Sequence, residues 1–199
     1  AWACNTTPQA DTTTTTYECE DGDTLTINEG ITVTRNAAGT RLVTNVEGET
    51  NHPNVTINNN GTMTNERAGT IYLKDTGGHT ITNTGTITGS AAAIWITGSD
   101  GATITNSGTI TGEAFGAITS DGWLADGAGD ITIDNSGTIL AGDGDHSTNN
   151  RWKMGGITIN CGAGGADEDC GGGTITITNS GTIRGHEGRG SHSQQQPAI

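Results

Sequence analysis

One phrase recurs five times along this chain. Ile57 to Met63, Ile81 to Ile87, Ile104 to Ile110, Ile133 to Ile139 and Ile177 to Ile183 share the pattern I-x-N-x-G-T-I, with Met63 in the last place of the first copy. The glycines of the five copies, Gly61, Gly85, Gly108, Gly137 and Gly181, are 24, 23, 29 and 44 residues apart. A step of about 20–30 residues suits one coil of a solenoid, whose units bury their apolar face only by stacking on each other.

Parity supplies the geometry. In each copy the Ile, Asn, Gly and final Ile occupy alternate positions and so share one face of an extended chain. In the third copy that face is Ile104, Asn106, Gly108 and Ile110, against Thr105, Ser107, Thr109 and Thr111 on the other. The isoleucines are expected inside and the threonines outside. Gly allows a bend that a side chain would obstruct. Asn59, Asn83, Asn106, Asn135 and Asn179 then stack at that bend as a ladder of identical amides.

A third strand follows each motif, with candidates at Thr70–Leu73, Ala93–Ile96, Gly116–Thr119 and Gly156–Ile159. Turn signals such as Gly77-Gly78 and Asp100-Gly101 close the coil. No helical periodicity occurs, so crossover helices are ruled out. Composition agrees: hydrophobic content is 30%, aromatic content 4%, and β-branched Thr and Ile dominate. The expected fold is all-β, a right-handed three-sided parallel β-solenoid of about six coils, with an axis of roughly 30 Å.

Three insertions lengthen the later coils: 120–130, 141–151 and 160–173. Insertions in repeat proteins gather as loops on one face, often a binding face. Residues 24–54 read as a degenerate first coil, because Leu25, Ile27, Ile31 and Val33 have the opposite parity to Asn28 and Gly30. Residues 1–23 are expected to form an N-terminal cap, 24–185 the solenoid and 186–199 a polar tail without an apolar face to seal the last coil.

Four cysteines form two local pairs, Cys4 with Cys19 and Cys161 with Cys170. Neither spacing matches a zinc site, so two disulfides and an oxidising compartment are expected. The formal net charge of −14 excludes nucleic-acid binding through the general field of the molecule. It also disfavours docking on anionic lipid, and no apolar run approaches the ~18 residues that span a bilayer. With Ala1 in place of Met, the chain reads as mature after removal of an export signal.

The phrase Ile-Thr-Asn-Ser-Gly-Thr-Ile, as in Ile104 to Ile110 and Ile177 to Ile183, resembles the passenger domains of bacterial autotransporters. The opening Cys4, Thr-rich stretch and Cys19 are similar to the mature start of many such passengers. The resemblance covers roughly residues 24–185. It implies a parallel β-helix displayed outside a Gram-negative cell, in a family of adhesins, aggregation factors and proteases. The chain carries neither the family's translocating barrel nor its linker helix, and reads as a fragment or as a separate secreted protein.

Candidate sites follow from what the repeat leaves over. Tyr72 and Trp95 each lie nine residues before the next motif, with parity opposite to the flanking Ile and Leu. They are expected to point outward from adjacent coils. With Trp123 and Trp152, in or beside the insertions, they make an aromatic patch suited to sugar rings or to another subunit. Asp143, Asp145, Ser147 and Asn149 place oxygens at alternate positions, as calcium loops do. Thr148 and Met154 stand where such a loop has its central Gly and its bidentate Glu. The run is a partial match to a calcium loop, although an Asp/Gly loop is more often only a solvated turn, and no cofactor is required.

Polysaccharide-cleaving β-helix enzymes need paired carboxylates on strands. Here the solvent-facing strand positions are almost all Thr and Ser, with Asp134 the exception. The five histidines show no nucleophile-and-base arrangement and read as polar surface. The chain is therefore expected to be an extracellular, non-enzymatic structural or adhesive solenoid. Its partners would be copies of itself stacked head to tail, or a cell-surface or glycan receptor. The rival readings are a polysaccharide-acting enzyme and a glycan-binding module.

Overall fold

The computed structural model describes residues 2–13, 16–47, 50–74, 77–97, 101–121, 130–142, 155–160 and 174–185. Most of the three insertions (residues 122–129, 143–151 and 161–173), with Trp123, Trp152, the 143–149 run, Cys161 and Cys170, lies outside the described residues, as do residues 186–199; Ser120–Asp121, Ala141 and Asn160 belong to strands.

The chain winds into a three-sided, right-handed parallel β-solenoid. Its first sheet has six strands: Thr24–Ile27, Thr56–Asn59, His79–Asn83, Ala102–Asn106, Ile131–Asn135 and Ile175–Asn179. The second has seven: Thr12–Thr13, Thr32–Arg35, Thr62–Asn65, Thr86–Gly89, Thr109–Gly112, Thr138–Ala141 and Thr182–Arg184. The third also has seven: Trp2–Ala3, Tyr17–Glu18, Val43–Thr44, Ile71–Lys74, Ile94–Thr97, Ile118–Asp121 and Ile157–Asn160. Winding passes from first to second to third sheet in every coil.

Register follows the repeat. Ile57, Ile81, Ile104, Ile133 and Ile177 pair in one column of the first sheet, and Met63, Ile87, Ile110, Ile139 and Ile183 in one column of the second. These columns and that of Ile71, Ile94, Ile118 and Ile157 fill the interior. Burying a side chain of this size is worth about 1.5–3 kcal/mol. The packing is thus supplied by stacking, coil on coil, as a one-dimensional array requires.

The third-sheet strands begin one or two residues later than the sequence suggests, at Ile71, Ile94, Ile118 and Ile157. The residues before them turn the corner instead. A side chain on Gly89 or Gly112 would strike the backbone around Ala92 or Gly116, which shows how tightly that corner closes. In the earlier coil Asn65 holds the same place, donating to the carbonyls of Thr40 and Gly69 at 2.8 Å each.

The described residues between 2 and 19 wind with the solenoid. Trp2–Ala3 and Tyr17–Glu18 join the third sheet, Thr12–Thr13 the second, and Thr6 bridges to Leu25 of the first. Cys4 and Cys19 are disulfide-bonded and buried in this segment. Among the described residues the one antiparallel pair is Val46–Glu47 with Thr50–Asn51. Buried Asn45 fastens its base, donating to the carbonyls of His52 at 2.8 Å and Lys74 at 3.0 Å.

Candidate functional site

Two columns carry polar or aromatic groups that packing alone does not demand. The first is the bend between the first and second sheets. There Asn59, Asn83, Asn106 and Asn135 are buried, and each donates its side-chain N–H to the Oδ1 of the next Asn, ending at Asn179, at 2.7 Å throughout. Each Nδ2 also reaches the carbonyl of the glycine two residues on, at 3.2–3.3 Å. All the amides therefore point one way along the axis.

The motif glycine does not use a left-handed backbone at this bend. A Cβ on Gly85, Gly108, Gly137 or Gly181 would collide with the carbonyl oxygen of the motif glycine one coil before it. Close stacking, not unusual φ, fixes the residue.

The ladder stops at Asn59. Its coil neighbour is Ile27, and the first coil has two extra residues in its bend, so Asn28 and Gly30 fall out of the motif's register. Buried Asn59 Oδ1 consequently has no hydrogen-bond partner. With its donors committed along the stack, the ladder is a fastening of the fold.

The second column lies on the outer face of the third sheet. Tyr72 and Trp95 are register partners on adjacent coils, ring centroids 5.7 Å apart and nearly perpendicular. Phe115, the chain's single Phe, lies 5.9 Å beyond Trp95. The guanidinium carbon of Arg41, from the preceding coil, stands 5.2 Å from the Tyr72 ring centre and 5.4 Å from that of Trp95. Its stem passes 3.7 Å from where a Gly69 side chain would begin. Each cation–ring contact contributes about 0.5–2 kcal/mol, rising with desolvation. Burial lowers the pKa of Arg41 from the usual arginine range, with Tyr72 acting the other way; the group stays charged at neutral pH.

The sequence pairs Tyr72 with Trp95 and misses Arg41 and Phe115. Their signal is positional: each lies two or three residues before a third-sheet strand, one a rare base in an acidic chain and the other its only Phe. Trp123 and Trp152 are not placed against this cluster, being outside the described residues. The same holds for Asp143, Asp145, Ser147 and Asn149. Among the described residues no group of three or more His, Cys, Asp or Glu side chains could hold a metal ion. One histidine departs from the expectation of polar surface: His79 is buried in the first sheet, its Nδ1 accepting the Val55 N–H at 3.3 Å. No described helix is long and apolar enough to cross a membrane. Set against known proteins, the chain matches no family model, no curated protein and no solved structure.

Proposed function

We propose that this protein is an extracellular structural or adhesive β-solenoid of a bacterial surface, of the autotransporter-passenger type, which extends by head-to-tail stacking of copies. Its work is mechanical and interactive rather than catalytic.

The observation that carries this reading is the stagger of the two described ends. Toward the C-terminal end the last described strand, Thr182–Arg184, belongs to the second sheet. The next place in the winding is on the third sheet, beside Ile157–Asn160, which pairs on its other side with Ile118–Asp121. At the N-terminal end the first described strand, Trp2–Ala3, belongs to that same sheet. A second copy whose Trp2–Ala3 strand takes that place would continue the order third, first, second. By register Trp2 heads the column of Tyr17, Val43, Ile71, Ile94, Ile118 and Ile157, and it is 54% exposed. Ile175 at the opposite end is 37% exposed, and Ile177 and Ile183 are only partly buried. Open strand edges over an apolar cross-section recruit further strands, and a heterologous contact that does not close into a ring yields a filament. The negative charge keeps such filaments apart laterally. A disulfide fits an oxidising, exported setting.

The test uses the backbone edge. Trp2 and Cys4 donate their N–H groups inward to Thr16 and Glu18 of the same chain, at 2.8 and 3.1 Å, so alternation turns the Ala3 N–H outward. Ala3→Pro removes that donor and leaves the inward bonds. The intact chain is expected to form linear assemblies under electron microscopy and rising scattering with concentration, and Ala3→Pro to shorten or abolish them. A chain that stays monomeric at millimolar concentration overturns the reading. So does a chain that assembles only after removal of residues 186–199, since its own tail is then the occupant.

A further inference from the structure

We propose that the Arg41, Tyr72, Trp95 and Phe115 cluster on the outer face of the third sheet is a binding site for an acidic sugar residue. The sugar ring would stack on the aromatic side chains, with its carboxylate paired to Arg41. This reading is independent of filament formation, because the site lies on the flank of the solenoid and not at either end.

Three observations point to such a ligand. The first is an unbalanced charge. The chain has 22 acidic residues against 8 Lys plus Arg, yet among the described residues Arg41 meets two rings and forms no ion pair. A half-buried guanidinium loses hydration that ring contacts replace only in part. A carboxylate on the ligand supplies the missing counter-charge, and the planar fork of Arg takes it through two parallel hydrogen bonds.

The second is a pair of idle donors. Arg41 Nε and Trp95 Nε1 are both enclosed, and neither has a hydrogen-bond partner. Enclosed polar groups are nearly always satisfied, so two in one cluster mark an unmet requirement for acceptor oxygens. Tyr72, Trp95 and Arg41 are each only partly buried, and binding requires their side chains to turn so that these nitrogens meet the ligand. A sugar offers hydroxyl and carboxylate oxygens beside an apolar ring face, which suits donors set among aromatic rings.

The third is the position in the column. The register partners on either side are the small β-branched residues Thr44 and Thr119, the latter buried with its hydroxyl donating to the Phe115 carbonyl at 2.9 Å. The two bulky rings therefore replace threonine where a solenoid face needs nothing larger. Long-range repulsion from the −14 net charge does not forbid an anionic ligand. At physiological ionic strength the Debye length is about 8 Å, so Arg41 governs the field at contact. In a stack of copies the site would repeat once per molecule, and a polysaccharide could engage several at once.

The experiment follows the Trp95 indole N–H resonance, assigned by its loss in Trp95→Phe, during titration with trigalacturonate. A saturable shift is expected, with neutral galactotriose binding about tenfold or more weakly, the scale for removing one member of an enclosed charge pair. Arg41→Gln is expected to bring the acidic trimer down to the neutral level with an unchanged circular dichroism spectrum. The methyl-esterified trimer tests the same contact from the ligand side and needs no protein variant. Equal binding of acidic, esterified and neutral trimers overturns the proposal, as does the absence of any shift or an unchanged affinity in folded Arg41→Gln.

Discussion

The Asn–Gly bend and the outer face of the third sheet run side by side along one solenoid, and they obey opposite rules. At the bend, five coils present the same Asn and the same Gly, and each of the first four amides donates to the next. On the outer face the column reads Thr44, Tyr72, Trp95, Thr119 and Thr158, so two adjacent coils depart from the threonine that the other three carry. Repetition along a stack means that each copy is required by its neighbour. Variation means that the position faces something other than the stack. A residue that breaks the column pattern without serving the core is therefore a functional candidate, and one that repeats is a fastening.

The contrast breaks most sharply inside the core. Ile104 is fully buried between Ile81 and Ile133, with no cation beside it in the interior cluster. Ile104→Asp places an uncompensated carboxylate there and is expected to cost more than about 4 kcal/mol, unfolding the neighbouring coils. Chemical denaturation followed by far-ultraviolet circular dichroism reads the loss directly. Gly108→Ala comes next. Its Cβ would strike the Gly85 carbonyl, so the two coils must separate locally, at about 1–3 kcal/mol. Gly39→Ala puts a Cβ into open space and tests backbone conformation alone, since Gly39 has φ 72°.

The ladder can be sharpened against itself. Asn106→Leu removes an amide bonded on both sides and orphans Asn135 Oδ1. Asn59→Leu likewise orphans Asn83 Oδ1, but the Oδ1 it deletes was already unpartnered. Asn106→Leu is expected to be the more destabilising by about 1–3 kcal/mol, the cost of an unmade buried hydrogen bond. Equal losses at the two positions would mean that the ladder's direction carries no energy.

How far the sequence discloses this molecule depends on which coil is asked. Where the phrase repeats, register follows from identity, because a one-residue slip would turn every isoleucine outward. The interior columns and the amide ladder were legible for that reason. Where no phrase repeats, pattern gives less. Ile27 occupies the Asn column because two extra residues in its bend restore the pairing at Val33, an arithmetic visible only once Thr32 is paired with Thr62. Trp2–Ala3, Thr12–Thr13 and Tyr17–Glu18 are too short to show a period, though they join the same sheets as the regular coils. Arg41 was missed for a different reason: its place two residues before a third-sheet strand is a signal, but its contacts are made by a side chain that reaches across to the next coils, which position within one coil does not specify.

The smallest expected effect belongs to the outer face. Trp95→Thr gives the column the residue it already carries at positions 44 and 119, so the strand gains a β-branched side chain and retains its backbone pairing. The variant loses the ring contacts to Tyr72 and Phe115 and one of the two contacts to Arg41. It also removes the enclosed, unpartnered indole N–H, which works in the opposite direction. Ring pairs contribute about 0.5–1.5 kcal/mol beyond simple burial, and the deleted donor returns a similar amount. Stability is therefore expected to change by no more than about 1 kcal/mol. Binding of an acidic sugar, followed by calorimetry because the indole probe is gone, is expected to vanish. A Trp95→Thr protein that unfolds like Asn106→Leu would show that the aromatic column is a fastening too, and the division between the two faces would fall.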